Sequence, residues 1–477
     1  MYLNDLIKNI DIIDTRGSGN PEINGVYYNS SRVTEGGLFV AIEGFKTDGH
    51  KYVADAVSRG ARAIVCTRFT EGIDALQIKV ADSRIAEAVI CAEFFGNPSK
   101  KFKLIGVTGT NGKTTVTYLV KHILDYCGYK TGLIGTNQNM IGEKVLETGR
   151  TTPDSFELQK LFSEMAESNV DYAVMEVSSH ALCLSRVYGC SYEVGAFTNL
   201  TQDHLDFHNT MDEYALAKAK LFEQSCKAVI NGDDAYGIKM AENCSCPMAT
   251  YGIGNGDFSA EDVNLTQKGV EFTLLGKRFF LGIPGGFSVY NALCAVGICL
   301  SLGLDIDKIR DALSTAKGVK GRAEVVDTGS RNYTVMIDYA HTPDGIENIL
   351  KTARGFAKGR VVILFGCGGD RDNTKRAIMG ETAGRLADFC IVTSDNPRTE
   401  NPSSIIDMIM VGVLKTGAEH IVIENRYEAI RYALCNARDD DVIILAGKGH
   451  ETYQILNSGT VHFDEREVIQ EILSLEE

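Results

Sequence analysis

The sequence contains no long uninterrupted apolar run. None of its 477 residues lies in a stretch that approaches ~18 consecutive apolar residues, the length that a membrane-spanning helix requires. The N-terminal segment MYLNDLIKNIDIID has acidic side chains among its apolar ones and no basic region followed by an apolar run, so it does not resemble a signal peptide. These absences predict a cytoplasmic protein that does not enter a membrane.

The sequence has fewer basic residues than acidic ones. Lysine and arginine number 48 against 63 aspartates and glutamates, which gives a formal net charge of −15. Such a charge repels the phosphates of nucleic acid at long range, so sequence-independent binding of nucleic acid is not expected. Any anionic substrate would need a local basic pocket.

The cysteines lack the spacing of a disulfide framework. There are 13 of them, an odd number, and Cys244 and Cys246 form a lone C-x-C with no second pair downstream. This usage fits a reduced, cytosolic compartment.

The length predicts more than one domain. A chain of 477 residues exceeds what one hydrophobic core usually organises, so two to three domains are expected, and three is the working number. Hydrophobic residues make up 44% and charged residues 23% of the sequence, as in ordinary globular proteins. No internal repeat or low-complexity segment stands out.

Changes in the hydrophobic pattern place the boundaries. Residues 1–99 contain short apolar runs at 37–42 and 61–66 with a helical pattern between them, and end in a cluster of loop-forming residues. Residues 100–321 begin with a strand, a glycine turn and a helix that stops at Gly128, and later contain short alternating runs at 247–284 that suggest a small antiparallel appendage. Residues 322–477 resume a strand and helix alternation of the doubly wound type, with strands expected at 333–337, 361–365, 389–392, 420–423 and 442–445.

The segment GTNGKTT at 109–115 is the strongest local motif. It lies between a predicted strand and a predicted helix, where backbone N–H groups and the helix dipole attract phosphate. Lys113 adds a positive charge and Thr114 can reach Mg²⁺. The general pattern G-x-x-x-x-G-K-[ST] is not met to the letter, because Val107 stands where the first glycine belongs and Gly109 must supply the flexibility.

Three further residues are ambiguous when read alone. Glu176 ends an apolar strand on the side where α/β sheets bind ligands, so its carboxylate is a candidate Mg²⁺ ligand. His204 lies in a polar loop, where a histidine is usually solvated. Lys218 lies in a helical segment, 211–224, where a lysine usually faces solvent.

A set of ordered motifs resembles the Mur ligase family over nearly the whole chain. These motifs are Ser31-Arg32 with GLFVA at 37–41, GTNGKTT at 109–115, TTPDS at 151–155, MEVSSH at 175–180, TNLTQDH at 198–204, YALAK at 214–218, DYAH at 338–341, FGCGGD at 365–370, DNPR at 395–398 and GKGHE at 447–451. The resemblance implies an α/β protein of three domains: an N-terminal UDP-binding domain, a central P-loop ATPase domain and a C-terminal Rossmann-like domain that binds the amino acid. It also implies a reaction in which ATP converts a carboxylate into an acyl phosphate and an amine displaces the phosphate, with ADP and phosphate released.

The resemblance assigns roles residue by residue. It implies that Lys113, Glu176, His204 and Lys218 form the catalytic centre, and that Thr114, Glu176, His204 and a carbamylated Lys218 hold Mg²⁺. ATP would be bound by Gly109, Thr110, Asn111, Gly112, Lys113, Thr114, Thr115, Asn291, Arg322, Asp338 and His341. The UDP-sugar peptide would be bound by Ser31, Thr151, Thr152, Ser178 and Arg186. The amino acid would be bound by Arg371, Asp395, Asn396, Pro397, Arg398, Gly447 and Glu451.

Within the family, the motif set is most similar to the branch that adds the third residue of the peptidoglycan stem peptide. The substrates implied are UDP-N-acetylmuramoyl-L-alanyl-D-glutamate and meso-diaminopimelate, because Arg398 can grip an extra carboxylate through two hydrogen bonds and would repel the ammonium of L-lysine. A monomer is expected. Three alternatives stay open: the same ligase using L-lysine, a ligase similar to folylpolyglutamate synthetase, and a nucleotide-binding module without ligase activity.

Overall fold

The computed structural model describes residues 1–44, 47–266 and 268–475. Within these ranges the strands form three large sheets that follow one another along the chain, and a separate two-stranded hairpin. Helices flank each large sheet, and the largest apolar clusters lie between helices and sheets. No helix in the described ranges combines the length and the apolar character needed to cross a bilayer.

The N-terminal unit contains a five-stranded sheet in the order β1-β5-β4-β3-β2. Its outer strand β1 is antiparallel to β5, and the other neighbours are parallel. Asp82 caps the last helix of the unit by accepting from the backbone N–H groups of Arg84 and Ile85. The elements are α1 (Leu3–Ile7), β1 (Ile12–Arg16), β2 (Gly25–Tyr27), β3 (Gly37–Val40), α2 (Val53–Ser58), β4 (Ala61–Cys66), β5 (Leu76–Val80) and α3 (Ser83–Phe94).

The central unit contains an 11-stranded sheet in the order β16-β15-β14-β13-β12-β11-β6-β10-β7-β8-β9. The elements are β6 (Lys103–Thr108), α4 (Lys113–Tyr126), β7 (Thr131–Ile134), β8 (Asn139–Ile141), β9 (Lys144–Leu146), α5 (Ser155–Glu167), β10 (Tyr172–Glu176), α6 (Ser179–Cys183), β11 (Tyr192–Phe197), α7 (Leu205–His208), α8 (Met211–Ala219), β12 (Ala228–Asn231), α9 (Ala235–Glu242), β13 (Met248–Ile253), β14 (Phe258–Thr266), β15 (Gly269–Leu274), β16 (Lys277–Leu281), α10 (Gly286–Ser301) and α11 (Ile306–Ser314). Short 3₁₀ turns occur before this unit at Ser30–Arg32, Gly49–Tyr52 and Pro98–Lys100, and within it at Phe222–Gln224.

Two predictions for the central unit need correction. The segment 247–284 is not a separate antiparallel appendage, because β13 pairs in parallel with β12 and β14 pairs in parallel with β13, so the segment extends the main sheet. Within this segment the antiparallel pairings are those of β14 with β15 and of β15 with β16. The predicted helical segment 211–224 is also broken, since α8 ends at Ala219 and a 3₁₀ turn follows at Phe222–Gln224. By contrast, α4 does end before Gly128, whose φ is +86°.

The C-terminal unit contains a six-stranded sheet in the order β17-β18-β22-β19-β20-β21, in which only the β17 pairing is antiparallel. This parallel arrangement with flanking helices confirms the predicted three-domain α/β fold class. The elements are β17 (Glu324–Val326), β18 (Thr334–Asp338), α12 (Pro343–Arg354), β19 (Val361–Phe365), α13 (Thr374–Leu386), β20 (Phe389–Val392), α14 (Pro402–Thr416), β21 (His420–Val422), α15 (Arg426–Cys435), β22 (Val442–Ala446), β23 (Tyr453–Leu456), β24 (Gly459–His462) and α16 (Glu465–Leu475).

Helices α13 and α14 lie unusually close together. A Cβ atom placed on Gly412 would lie 1.8 Å from the carbonyl oxygen of Ala377, and one placed on Gly380 would lie 2.1 Å from that of Ile409. Both glycines therefore permit a backbone approach that any side chain would block.

The linker into the C-terminal unit is fastened to that unit. Lys320 Nζ lies 3.4 Å from Asp464 Oδ2, and Arg466 forms an ion pair with Glu324. Gly321 has a φ of +71°, and a Cβ atom on it would lie 2.2 Å from the backbone nitrogen of His450. The side chains of Lys320 and Glu324 are therefore fastened to the C-terminal unit, while the Lys320 carbonyl accepts from Asn137 Nδ2 of the central unit at 3.0 Å. The boundaries after residues 99 and 321 remain predictions.

Candidate functional site

The phosphate loop connects β6 to α4 at the carboxyl edge of the central sheet. Gly109 has a φ of +148°, and a Cβ atom on it would lie 1.8 Å from Thr198 Oγ1, so this position requires glycine. Gly112 precedes the helix with a φ of +87°. Lys113 Nζ donates to the carbonyl oxygens of Gly109 and Thr110, both at 2.9 Å, and is thus held over the loop.

A cavity of about 530 Å³ lies between the central and C-terminal units. It collects six of the residues predicted to bind ATP, namely Asn111, Gly112, Thr115, Asn291, Arg322 and Asp338. The Arg322 guanidinium donates to Thr114 Oγ1 at 3.1 Å and lies over the Tyr339 ring. This places a fixed positive charge at the N-terminus of α4, where phosphate groups are attracted.

A polar contact across this cavity was not predicted from the sequence. Asn111 Nδ2 donates to Asp344 Oδ2 at 2.6 Å, and the Thr201 hydroxyl lies 3.4 Å from the same oxygen. Asp344 lies in the first turn of α12 of the C-terminal unit, so the contact joins the phosphate loop to the neighbouring unit. Two residues 233 positions apart in sequence give no local signal of such a contact.

Glu176 ends β10 and is almost completely buried, with 1% of its surface exposed. Its carboxylate accepts from the backbone N–H of Thr136 at 2.8 Å and from the Thr136 hydroxyl at 3.0 Å. A buried carboxylate is costly unless it is hydrogen-bonded or binds a cation. Thr136, which orients it, was not among the predicted site residues.

Lys218 is buried on α8, with 1% of its surface exposed. Its Nζ donates to the Gly109 carbonyl at 2.8 Å and lies over the Tyr214 ring. Burial lowers the pKa of Lys218 well below its usual value, and the charge of Lys113 lowers it further. The uncharged amine that this environment favours is the form that reacts with carbon dioxide to give a carbamate.

His204 and His341 face each other across a shared acid. His204 Nε2 lies 3.4 Å from Asp203 Oδ2, and His341 Nε2 lies 4.0 Å from the same oxygen. Lys375 Nζ lies 3.8 Å from Asp203 Oδ1. His341 and Lys375 belong to the C-terminal unit and His204 to the central unit, so Asp203 lies where the two units meet.

A second cavity, of about 850 Å³, lies between the N-terminal and central units. Ser31 and Arg186, both predicted to bind the UDP-sugar peptide, line it together with Arg84 and Arg150. Arg186 Nε donates to Asp154 Oδ1 at 2.8 Å. The three arginines share the lining with three acids, Asp55, Glu87 and Asp154, and their guanidinium groups are the ones that can bind an anionic ligand.

Three hydroxyl residues lead from this cavity toward Glu176. The Thr152 hydroxyl donates to the Glu176 carbonyl at 2.8 Å and accepts from the Ser178 N–H at 3.0 Å. Arg186 Nη1 donates to the Thr152 carbonyl at 3.3 Å. Thr151 Oγ1 lies 3.0 Å from Thr136 Oγ1. Four of the five predicted UDP-sugar peptide residues, Thr151, Thr152, Ser178 and Arg186, thus connect through hydrogen bonds to Glu176 or to Thr136, which bonds to it.

The predicted amino-acid residues gather around a buried lysine. Lys448 is fully buried, and its Nζ lies 3.3 Å from Asp395 Oδ1, 3.0 Å from Asn396 Oδ1 and 3.2 Å from Glu451 Oε2. Asn396 Nδ2 donates to the same Glu451 oxygen at 2.8 Å. Gly447 is required beside them, because a Cβ atom on it would lie 2.6 Å from Asp395 Oδ2. Lys448 was not predicted, although it lies inside the motif GKGHE.

Arg398 lies beside this group on a strained backbone. Its φ is +54°, a region that a non-glycine residue adopts at a cost, usually at functional positions. Arg398 Nη1 donates to the Gly369 carbonyl at 2.8 Å, and a Cβ atom on Gly368 would lie 2.9 Å from Nη1 and 3.7 Å from Arg371 Cγ. Both predicted arginines therefore border the same glycine turn, and the Pro397 carbonyl lies against Gly369.

These groups lie in a chemically coherent order. A phosphate loop and Arg322 can hold and neutralise a triphosphate, and Glu176 and Lys218 lie beside that loop. Arginines and acids line the cavity on the N-terminal side, and paired charges of both signs form the pocket on the C-terminal side. The arrangement suits a reaction that joins two polar substrates and hydrolyses a nucleoside triphosphate.

Family profiles match most of the chain. A profile described as Mur ligase family, catalytic domain, matches residues 22–95, one described as Mur ligase middle domain matches residues 107–299, and one described as Mur ligase, glutamate ligase domain, matches residues 321–449.

Curated relatives match over nearly the full length. The chain is 49% identical to "UDP-N-acetylmuramoyl-L-alanyl-D-glutamate--2,6-diaminopimelate ligase 1" of Clostridium acetobutylicum, over 99% of each chain. It is 51% identical to the ligase of the same description, without the final numeral, from Caldanaerobacter subterraneus subsp. tengcongensis, again over 99% of each chain. A solved structure described as "Structure of UDP-N-acetylmuramoyl-L-alanyl-D-glutamate--2, 6-diaminopimelate ligase" superposes with a TM-score of 0.69 at 30% identity, covering 100% of this chain and 99% of that one. On these matches the chain belongs to the Mur ligase family.

Proposed function

We propose that this protein is an ATP-dependent amide ligase that adds meso-2,6-diaminopimelate to UDP-N-acetylmuramoyl-L-alanyl-D-glutamate and releases ADP and phosphate. The observation that carries the proposal is the pocket of Asp395, Asn396, Arg398 and Glu451, which combines a guanidinium and carboxylates. Relatives at 49% and 51% identity are named for this reaction.

The chemistry follows from the positions of the charged groups. The terminal carboxylate of the D-glutamate residue attacks the γ-phosphorus of ATP, the bond to the β-phosphate oxygen breaks, and ADP leaves with an acyl phosphate formed. The amine of the second substrate then attacks the acyl carbon, inorganic phosphate departs and the amine loses a proton. Lys113 and Arg322 stabilise the negative charge that shifts among the phosphate oxygens.

Magnesium is proposed as the accompanying ion. Thr114, Glu176, His204 and a carbamylated Lys218 would hold it, and bound Mg²⁺ would supply charge neutralisation to the phosphates. The residues fit this role. Glu176 is a buried carboxylate, and burial lowers the pKa of Lys218, which favours the uncharged amine that can be carbamylated.

The amino acid is assigned by charge matching. In our proposal Arg398 and Arg371 bind the distal carboxylate of meso-diaminopimelate, and Glu451 accepts its distal ammonium. Lys448 neutralises Asp395 and holds Glu451 in position. L-lysine has no distal carboxylate, so its use would leave the Arg398 charge without an anionic partner, at a cost of several kcal/mol if the site excludes water. We further propose that the enzyme acts as a monomer in the cytoplasm.

A direct assay tests the proposal. The purified chain is incubated with ATP, Mg²⁺ and UDP-N-acetylmuramoyl-L-alanyl-D-glutamate, with meso-diaminopimelate and L-lysine in competition. The expected products are the tripeptide nucleotide containing diaminopimelate, ADP and phosphate. AMP and pyrophosphate would exclude an acyl phosphate. Preference for L-lysine would overturn the amino-acid assignment alone. In a parallel reaction with a folate and glutamate, addition of glutamate to the folate would favour the folylpolyglutamate alternative. If ATP hydrolysis does not depend on any substrate, the reading as a binding module without ligase activity remains.

A further inference from the structure

Glu87 is a buried acid in the wall of the cavity between the N-terminal and central units, called here the nucleotide-sugar cavity. It lies on α3, only 7% of its surface is exposed, and it lines the cavity with Ser31 and Arg186. Among the described residues, none forms a hydrogen bond or an ion pair with its carboxyl group. A buried polar group of this kind is costly unless a ligand or water satisfies it.

The charged side chains around Glu87 bond to one another rather than to Glu87. The Tyr28 hydroxyl lies 3.3 Å from Asp154 Oδ2 and 3.2 Å from Glu157 Oε1. Arg150 and Arg186 both form their ion pairs with Asp154. Glu157 Oε2 is buried without a hydrogen-bond partner among the described residues. Neither arginine is therefore committed to Glu87.

The protonation state of Glu87 follows from this crowding. Burial raises the pKa of Glu87 to about 8, and the negative charges of Asp154 and Glu157 act in the same direction. The positive charges of Arg84 and Arg186 lower the pKa of Glu87, but by less than burial and the two acids raise it. The charged and titratable groups that face Glu87 are Arg84 and Cys91 on its own helix, Tyr28 after β2, Asp154 and Glu157 at the start of α5, and Arg186 after α6.

We propose that Glu87 contacts the nucleotide-sugar substrate as an uncharged carboxylic acid, and that its deprotonation weakens binding of this anion. The inference rests on the proposed function, which places a diphosphate-bearing ligand in the nucleotide-sugar cavity. The neutral acid donates its O–H to an oxygen of the ligand, whereas the carboxylate has no proton to donate and repels negative charge. Glu87 is thus proposed as a substrate-binding residue that sets the pH range of affinity.

The direction of the pH effect is fixed by linkage. Below its raised pKa Glu87 is neutral and binding is strong, and above that pKa the competent fraction of the enzyme falls. If only the neutral form binds, the apparent dissociation constant increases about tenfold between pH 7 and pH 9, because the competent fraction falls by that factor.

The experiment measures the affinity of the full-length protein for UDP-N-acetylmuramoyl-L-alanyl-D-glutamate by calorimetric titration at pH 7, 8 and 9. Wild type should lose about tenfold in affinity over this range. Glu87→Gln keeps the shape and an N–H donor but does not titrate, so its affinity should stay constant with pH. Glu93→Gln is the matched control on the same helix, because Glu93 bonds to Asn9 and Lys8 and does not line the cavity. It should behave like wild type.

The outcomes separate the inference from the function on which it rests. An identical pH dependence in wild type and Glu87→Gln would overturn the inference and leave the ligase assignment standing. A pH-independent affinity in wild type would do the same, since Glu87 would then be a protonated structural residue only. No binding by wild type at pH 7 would overturn the proposed function and this inference with it. Thermal unfolding of both variants checks that neither effect comes from misfolding.

Discussion

Lys218 has a buried amine that contacts a backbone carbonyl of the phosphate loop. If the carbamylated form supports the metal, Lys218→Ala should lower kcat by about 100-fold or more, because an anionic ligand beside the transferred phosphate is lost. Short carboxylic acids such as acetate should partly restore the rate by occupying the space of the carbamate.

The control for this variant is Lys220→Ala, which removes an exposed lysine two positions away on the same segment. Steady-state rates with and without added acetate give the comparison. Full activity of Lys218→Ala in the absence of any acid would exclude the proposed role.

Arg398 is held in a left-handed conformation beside Gly369. Arg398→Ala should raise the KM for meso-diaminopimelate about 10- to 100-fold, because it removes charge-assisted hydrogen bonds to the distal carboxylate. The KM for ATP should change little, since the arginine does not line the nucleotide cavity. Arg385→Ala, which removes an exposed arginine from α13 of the same unit, is the control. Equal effects on both substrates would instead indicate a folding defect.

At the scale of secondary structure, the contact between α13 and α14 depends on glycine. Gly412→Ala should lower the free energy of unfolding by about 1 to 3 kcal/mol, because the new methyl group would collide with the Ala377 carbonyl and the helices must separate. This loss opposes the gain in helix propensity of roughly 1 kcal/mol that Ala normally brings. Scanning calorimetry of the full chain measures it.

The matched substitution is Gly286→Ala at the start of α10, where the nearest atom to a new Cβ is Leu265 Cδ1 at an ordinary 3.9 Å. This variant should unfold at the same temperature as wild type or slightly above it. Equal stability of the two variants would show that α13 and α14 can separate at little cost.

The limits of prediction at this scale come from strand pairing. The short strands at 361–365 and 389–392 were predictable, because fully apolar runs bounded by polar turns are typical of buried parallel strands, and the structure has strands at Val361–Phe365 and Phe389–Val392. β13 follows β12 after the crossover helix α9 and pairs with it in parallel, whereas the alternation at 247–284 begins after β12 and so carried no information about this pairing.

At the scale of the whole molecule, the candidate site lies between units that the sequence presents separately. Motifs such as GTNGKTT and DNPR concentrate their residues locally and could be found by spacing. Asp344, Thr136 and Glu87 gain their surroundings only from the packing of one unit against another or from distant loops. No local pattern marks them, and Glu87 on a helix would ordinarily be expected to face solvent.

The attachment of residues 320–324 to the C-terminal unit has a consequence for protein engineering. Every residue proposed to bind the incoming amino acid belongs to the C-terminal unit. The whole unit can therefore be exchanged between ligases of different amino-acid preference. The junction should fall before Lys320, because a cut after Glu324 would separate Lys320 from Asp464 and Glu324 from Arg466. A chimera joined before Lys320 should take the amino-acid preference of the donor and keep the recipient's KM for the nucleotide sugar. Competition assays between amino acids, run on chimeras joined before Lys320 and after Glu324, would show whether the donor's preference is transferred only when residues 320–324 come from the donor.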